Sequence, residues 1–428
     1  MNIATLYKKY LSCRNVSTDT RKITPDSLFL ALKGANFNGN SFAADALSKG
    51  ARYAVIDEVA YATDDRFILV DDALKALQAL ARHHRRQLSV PVIAMTGSNG
   101  KTTTKELIQR VLAQKYKVYA TQGNLNNYIG LPLTLLAITS DIEIVVLEMG
   151  SNQLGDIEEL AGICEPTHGL ITNIGKAHLE GFGGLEGVKK GEGELYDYFK
   201  ANPGTVFANS QNPILHEMRA ERNLEAVTYP SENDFLHCEL IAFAPDVIYR
   251  DEDGNTVHTH LPGRHNFENI AAALCIGKHF GVPAAAANEA VSNYVSQNNR
   301  SQFTRKGTNT ILLDAYNANP TSMQASLEYF AALNVAPKIV VLGDMAELGQ
   351  ESADEHRLIG EVVAQGKFDK ILLCGKMMQH AVAANPKAYY FIDKFSLNNW
   401  LLDNKIENAH ILIKGSRSMA METLVDLL

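Results

Sequence analysis

Val90-Pro91-Val92-Ile93-Ala94-Met95-Thr96-Gly97-Ser98-Asn99-Gly100-Lys101-Thr102-Thr103-Thr104 is the stretch on which the fold turns. Residues 90–95 are an apolar run of strand length, and a glycine-bearing loop follows them. Beyond the loop, Leu107, Ile108, Val111 and Leu112 recur at the spacing of one helical face. Strand, glycine loop and helix in that order form the setting of a phosphate-binding loop. Glycine lets the backbone turn tightly and aim several N–H groups at one anion, and the helix N-terminus adds a favourable dipole. The candidate nucleotide contacts are therefore Gly97, Ser98, Asn99, Gly100, Lys101, Thr102 and Thr103. Lys101 is placed to reach terminal phosphates and the Thr102 hydroxyl to ligate Mg²⁺. The spacing departs from G-x-x-x-x-G-K-[ST]: the first glycine would fall at Met95 and instead is Gly97, so the loop is shortened. A bare strand-to-helix connection has no need of Gly-Lys-Thr-Thr.

Outward from the loop, strand-sized apolar runs recur at 142–147, 169–172 and 205–208, and residues 271–279 read as a buried helix. Strands alternating with helices imply a mostly parallel sheet. Upstream, runs at 28–32, 53–56 and 67–70 alternate with helical stretches at 42–47 and 73–85, a small α/β unit. The charged stretch Arg82-His83-His84-Arg85-Arg86 reads as a solvated helix end and marks a boundary. Downstream, five runs at 310–313, 339–342, 371–374, 389–392 and 410–413 suggest a doubly wound, Rossmann-like unit. The expectation is an α/β protein of three domains, 1–86, 87–298 and 299–428. A chain of 428 residues supports that division, since single cores stop growing near roughly 250–300 residues.

Composition narrows the function. Apolar residues at 46% and charged residues at 21% argue for a folded chain and against disorder. A formal net charge of -8 makes general nucleic-acid binding a poor expectation. Cys13, Cys164, Cys238, Cys275 and Cys374 are scattered and contain no C-x-x-C pair, which fits a reducing compartment and offers neither a zinc site nor a disulfide frame. No apolar run reaches the ~18 residues of a membrane helix, and the N-terminus lacks a signal pattern. A cytoplasmic enzyme without membrane insertion, favoured as a monomer, is the expectation.

A phosphate loop does not by itself separate a GTPase, a transport ATPase and a ligase. A GTPase would also carry an Asn-Lys-x-Asp segment, which is absent from this sequence. Glu148 ends the run at 142–147, where a strand-end carboxylate faces the ligand crevice and could hold Mg²⁺ beside Thr102. His178, in Thr172-Asn173-Ile174-Gly175-Lys176-Ala177-His178, follows another strand and could ligate a metal, although a lone histidine is usually structural.

Several further segments, taken together, are similar to the Mur ligase family of peptidoglycan synthesis, over essentially the whole chain. Thr96–Thr103 resembles the family's phosphate loop. Asn124-Leu125-Asn126-Asn127-Tyr128-Ile129-Gly130-Leu131-Pro132 resembles its substrate loop, and Gly263-Arg264-His265-Asn266-Phe267-Glu268-Asn269 its segment on the adenine side. Asp314-Ala315-Tyr316-Asn317-Ala318-Asn319-Pro320, Leu342-Gly343-Asp344-Met345-Ala346-Glu347-Leu348-Gly349 and Lys414-Gly415-Ser416-Arg417 match the dipeptide-adding members. Asp19-Thr20-Arg21 and Ala31-Leu32-Lys33-Gly34 resemble their uridine-nucleotide segments.

The resemblance implies an amide-forming ligase that uses ATP and Mg²⁺ to join UDP-MurNAc-tripeptide to D-alanyl-D-alanine through an acyl-phosphate. It implies catalytic or metal roles for Lys101, Thr102, Glu148, His178 and Glu192, and ATP contacts at Asn266, Asn269, Arg300 and Asp314. Asp19, Thr20, Arg21, Lys33, Asn126, Asn127, Asn317, Asn319 and Arg417 fall on the substrate side. It also implies closure of the third domain about a hinge near residues 296–301. Two departures stand out. Most Mur ligases hold a CO₂-modified lysine where this chain has Glu192, with Lys189 and Lys190 nearby but out of register. Glu192 is read as a fixed substitute for the carbamate, shorter in its arm; carbamylation of Lys190 is the rival. Phe37-Asn38-Gly39-Asn40 also lacks the aspartate and histidine of a D-G-H-like run, which weakens any nucleotide role for Asn40. A sister ligase adding a single amino acid, or a nucleotide-binding module without ligase activity, are the alternatives.

Overall fold

The computed structural model describes residues 2–296 and 300–428. The boundary expected between 298 and 299, and the middle of the expected hinge, lie outside the described residues. Three main sheets follow one another along the described residues, alternating with helices as the sequence pattern implies. The first contains β1 (Asn15–Ser17), β2 (Ser27–Leu30), β3 (Tyr53–Ile56) and β4 (Phe67–Leu69), parallel and in that spatial order. Helices α1 (Ile3–Leu11) and α2 (Ala73–Arg85) flank it.

The central sheet contains β5 (Val92–Thr96), β6 (Val118–Ala120), β7 (Ile144–Glu148), β8 (His168–Ile171), β9 (Thr205–Asn209) and β10 (Val227–Tyr229). Its spatial order is β10-β9-β8-β5-β7-β6, and every pairing is parallel. All residues of β5 and β7 are buried, as expected of unbroken apolar strands covered by helices on both faces. Those helices include α3 (Lys101–Leu112), α4 (Gly130–Leu136), α5 (Asp156–Cys164), α6 (Leu185–Ala201) and α7 (Arg264–His279). The chain leaves β5 toward β6 and β7 on one side and later returns to β8 on the other. The carboxyl end of β5 is therefore the topological switch point, where parallel sheets place their ligands.

A small antiparallel sheet of β11 (Glu239–Ala242), β12 (Ile248–Arg250) and β13 (Thr256–His258) interrupts the central unit and was not anticipated. Its strands are short and half exposed, so they lack the apolar runs that betray the others. The third sheet holds β14 (Gln302–Lys306), β15 (Asn309–Asp314), β16 (Lys338–Gly343), β17 (Lys370–Cys374), β18 (Tyr389–Phe391) and β19 (His410–Lys414) in the order β14-β15-β19-β16-β17-β18. Only the β14–β15 pairing is antiparallel. Helix α8 (Pro320–Ala332) follows β15 and opens with a capping box between Asn319 and Ser322.

The charged stretch at the end of α2 is not a uniformly solvated helix end. Arg85 is 7% exposed, and its guanidinium donates to the carbonyls of Cys164 at 2.9 Å, Glu165 at 3.0 Å and Leu88 at 2.9 Å. Two of these acceptors close α5, whose terminal carbonyls have no partner within their own helix. Arg86 pairs with Glu165 at 2.6 Å, and His84 is buried against the Ile138 carbonyl at 3.1 Å. Tyr10 on α1 likewise donates to the Leu136 carbonyl at 2.8 Å. The helices of the first unit are thus fastened to helix ends of the central one. Arg85→Met keeps the apolar stem and strips the donors, so urea unfolding should show a loss of roughly 2–3 kcal/mol. Arg82→Ala, at a side chain 51% exposed, should stay within about 0.5 kcal/mol of the parent.

Candidate active site

Thr96, Glu148 and Ile171 end the three strands that meet at the switch point, and the glycine loop springs from the middle one. Gly97 and Gly100 have φ of 129° and 81°, in the region glycine favours. A Cβ on Gly97 would collide with Thr172, and one on Gly100 would lie 2.6 Å from Asn269 Oδ1. The residues after β8 form the loop's seat. The Ser98 amide donates to the Asn173 carbonyl at 2.9 Å, and the Asn99 amide to Asn173 Oδ1 at 3.1 Å. The Asn99 carbonyl accepts from Thr172 Oγ1 at 2.7 Å and Asn173 Nδ2 at 3.0 Å. Thr172 and Asn173 were not singled out from the sequence, although they lie in the segment noted for His178. Lys101 Nζ lies against the Gly97 carbonyl, over its own loop.

Two carboxylates flank the loop. Glu148 accepts from Thr102 Oγ1 at 2.9 Å through one oxygen and from Asn126 Nδ2 at 2.9 Å through the other. Glu192, midway along α6, is 2% exposed. Its Oε2 accepts from Thr96 Oγ1 at 2.5 Å and the Gly97 amide at 3.0 Å, and its Oε1 from Ser151 Oγ at 3.1 Å. Lys190 is exposed, and Lys189 lies 3.6 Å from Glu186 and from Glu217, so neither lysine stands where Glu192 does. Among the described residues no group of three or more His, Cys, Asp or Glu is arranged to enclose a metal. The hard oxygen pair of Thr102 and Glu148 still suits Mg²⁺, which usually takes one or two carboxylates and fills its shell with water and substrate phosphates.

His178 sits in left-handed backbone, φ 52°, and its Nδ1 lies 2.6 Å from Glu347 Oε2 of the third unit. The hydrogen bond from His178 holds the Glu347 carboxyl below its ordinary range against the opposing effect of partial burial. Asn266 and Asn269 stand behind the loop. Asn269 accepts from Thr104 Oγ1 at 3.0 Å and donates to Asn266 Oδ1 at 3.0 Å, and Asn266 donates to the Pro262 carbonyl at 2.7 Å. Their carboxamides brace the base of α3.

At the carboxyl ends of the third sheet, Asp314 on β15 lies beside Lys414 on β19, in register and 2.6 Å apart. Burial would raise the Asp314 carboxyl. The Lys414 ammonium and hydrogen bonds from Ser326 and the Ser301 amide outweigh it and hold the group below the usual carboxylate range. Asp314 is therefore engaged within its own domain. The Arg300 guanidinium lies 3.8 Å from the centre of the Tyr316 ring, with Arg417 at 5.9 Å from it. Asn317 Oδ1 accepts from the Ala318 amide at 2.9 Å, and Asn319 Nδ2 reaches Asn99 Oδ1 on the phosphate loop at 2.8 Å. Lys176 adds a backbone bond to Thr321 Oγ1 at 3.0 Å and an ion pair to Glu355 at 2.5 Å. The third unit thus touches both the loop and its seat.

The expected uridine-side residues lie elsewhere, at the carboxyl ends of β1 and β2. Asp19 accepts from the Arg21 amide at 2.9 Å and from its guanidinium, and Thr20 opens the short turn Thr20–Lys22. Lys33 pairs with Asp57 and Glu58, each at 2.9 Å. Asn40 is fully buried, donating to Asp57 Oδ1 at 2.8 Å and accepting from the Asp57 amide at 3.0 Å, a structural role consistent with the missing D-G-H-like run. Asn127 spends its carbonyl oxygen capping α4, through the Ile129 amide at 3.1 Å and the Gly130 amide at 2.9 Å.

A short phosphate loop at the switch point of a central parallel sheet, contacted by a doubly wound third unit, defines the architecture of an ATP-dependent peptide ligase. The chain belongs to the Mur ligase family: models of its catalytic, middle and glutamate ligase domains match residues 12–85, 95–277 and 299–417. It is 34% identical to the UDP-N-acetylmuramoyl-tripeptide–D-alanyl-D-alanine ligase of Bacillus subtilis, over 96% of this chain and 92% of that protein. A crystal structure of MurF from Acinetobacter baumannii superposes with a TM-score of 0.89 at 29% identity, covering 100% of this chain and 98% of that one. The Thermotoga maritima MurF ligase in complex with ADP gives 0.85 at 27% identity, covering 98% and 97%.

Lys414→Met would leave the Asp314 charge buried and unpaired, at an expected cost of about 3–5 kcal/mol near neutral pH. The deficit should narrow as acid titrates Asp314, because the depressed carboxyl stabilises the native protein only above its ordinary range. Urea unfolding of parent and variant across pH measures both effects.

Proposed function

We propose that this chain joins D-alanyl-D-alanine to UDP-MurNAc-tripeptide in peptidoglycan precursor synthesis, at the expense of ATP. The reading is carried by near-full-length similarity to ligases named for that reaction, and by the Thr102–Glu148 pair lying 2.9 Å apart under a phosphate loop at the switch point. A carboxylate is a poor electrophile, because its charge must be neutralised before an amine attacks. Transfer of the γ-phosphoryl group to a carboxylate oxygen forms an acyl-phosphate and releases ADP. The dipeptide amine then attacks the acyl carbon, and phosphate departs carrying that oxygen.

Lys101 and the amides of residues 100–102 would stabilise charge on the transferring phosphoryl group, while the amides of residues 97–99 are held by Glu192 and Asn173. Thr102 and Glu148, with His178 as a further candidate ligand, would hold Mg²⁺, which when bound would supply neutralisation of phosphate charge. Glu192 would fix the loop's first amide and supply the anion that a carbamate gives in sister enzymes. The division of labour follows the three segments 1–86, 87–298 and 299–428: the first holds the uridine nucleotide through Arg21 and Lys33, the second ATP, and the third the dipeptide beside Arg417 and Asn317. Soluble nucleotide substrates suit a cytoplasmic enzyme, and no helix among the described residues is long and apolar enough to cross a membrane.

Phosphate release from ATP should require UDP-MurNAc-tripeptide and D-alanyl-D-alanine together, with the pentapeptide product seen by mass. Release supported by a free amino acid alone would reassign the chain to a sister ligase. Lys101→Ala should lower kcat by about 10²–10³-fold while leaving binding of the uridine nucleotide intact. Activity should be equal in CO₂-depleted and bicarbonate-supplemented buffer, because Glu192 brings a carboxyl group of its own and needs no CO₂. Stimulation by bicarbonate would instead point to a lysine carbamate.

A further inference from the structure

The segment of the third unit that follows β16 carries a carboxylate whose partner lies in the central unit. Glu347 Oε2 lies 2.6 Å from His178 Nδ1, and the backbone repeats the contact: the Glu180 amide donates to the Glu347 carbonyl at 3.0 Å. Both residues sit in left-handed backbone, with φ of 52° at His178 and 62° at Glu347. Two residues on, Gly349 has φ of 54°, and a Cβ there would lie 3.3 Å from the Glu180 side chain. The two turns are therefore packed against each other through main chain, and the carboxylate is delivered to the imidazole by backbone that has little freedom to move. An imidazole that ligates a metal through one nitrogen is usually fixed by a carboxylate, carbonyl or water on the other, and removal of that partner typically costs about 10–100-fold in metal affinity or activity.

We infer that Glu347 is a positioning residue, which fixes the ring of His178 when the third unit is docked and so couples domain docking to assembly of the Mg²⁺-nucleotide site. The inference rests on the ligase reading above. It adds a residue of the Leu342–Gly349 segment for which the sequence suggested no role, and it explains why that segment meets the central unit at the histidine turn. Neighbouring ties, Asn319 to Asn99 at 2.8 Å and Lys176 to Glu355 at 2.5 Å, hold the same interface together without touching the imidazole.

Glu347→Ala tests this cleanly, since alanine bears the same left-handed backbone penalty as glutamate and the side chain is 54% exposed. Glu347→Gln keeps an acceptor for Nδ1–H and serves as the conservative variant. The Mg²⁺ concentration giving half-maximal ligation should rise about tenfold or more in Glu347→Ala, with an unchanged Tm, and return most of the way in Glu347→Gln. Calorimetric ADP binding with and without Mg²⁺, in the absence of acceptor, gives a readout independent of turnover: the affinity gained from Mg²⁺ should shrink in the alanine variant. An unchanged Mg²⁺ requirement, or a weakening of nucleotide binding equal with and without Mg²⁺, would overturn the positioning role and leave Glu347 a simple latch. An inactive parent enzyme would count against the ligase reading itself, whereas an active parent with a neutral Glu347→Ala would count against this inference alone.

Discussion

A loop that binds polyphosphate must keep some amides free for the anion, and so something else must hold its carbonyls and its first turn from inside. Here the strut is the end of β5. Glu192 grips Thr96 Oγ1 and the Gly97 amide, at 2.5 and 3.0 Å, while Thr172 and Asn173 grip the Asn99 carbonyl. These contacts come from α6 and from the turn after β8, and they exist only because the strand order places β8 beside β5. Glu148 arrives from the other neighbour, β7. Two carboxylates and one ammonium, Lys101, therefore converge at a single strand end, an arrangement that favours a ligand carrying both negative phosphates and a divalent cation.

The same logic repeats in the third sheet. Asp314 and Lys414 end adjacent strands and neutralise each other, while Arg300 lies over Tyr316 and Arg417, near the same ring, pairs with Glu422 at 2.9 Å. Lys176, His178 and Asn99 of the central unit meet Glu355, Glu347 and Asn319 of the third across that interface, each within hydrogen-bond reach.

Much of this was legible in the chain. Parallel strands buried on both faces read as unbroken apolar runs, so the runs at 53–56, 90–95, 339–342 and 410–413 announced strands, which the structure places at Tyr53–Ile56, Val92–Thr96, Lys338–Gly343 and His410–Lys414. The phosphate loop did so through glycines that no L-residue could replace without collision. Glu192 was found by register alone, two residues ahead of Glu194, and the structure places it beneath the loop where Lys190 does not reach. What stayed hidden depends on tertiary partners. Nothing local marks Arg85 as a buried clamp, because the acceptors that tie it to the central unit are the Cys164 and Glu165 carbonyls, 79 and 80 residues away. Asn269 and Asn127 carry the amide groups expected of ligand contacts, yet one braces the loop from behind and the other caps a helix. Glu347 was quoted within a motif, but only the docking of two turns reveals what its carboxylate touches. The antiparallel strands β11–β13 escaped because they are short and half exposed.

The central claim is chemical: the phosphate loop activates a carboxylate by phosphorylating it, and the third unit brings an amine to the product. Isotope transfer tests it most directly. UDP-MurNAc-tripeptide labelled with ¹⁸O in the reacting carboxylate is to be ligated to D-alanyl-D-alanine, and the released phosphate analysed by mass. Passage through an acyl-phosphate delivers one labelled oxygen to each phosphate formed. Phosphate free of label, formed in step with the amide, would contradict the account.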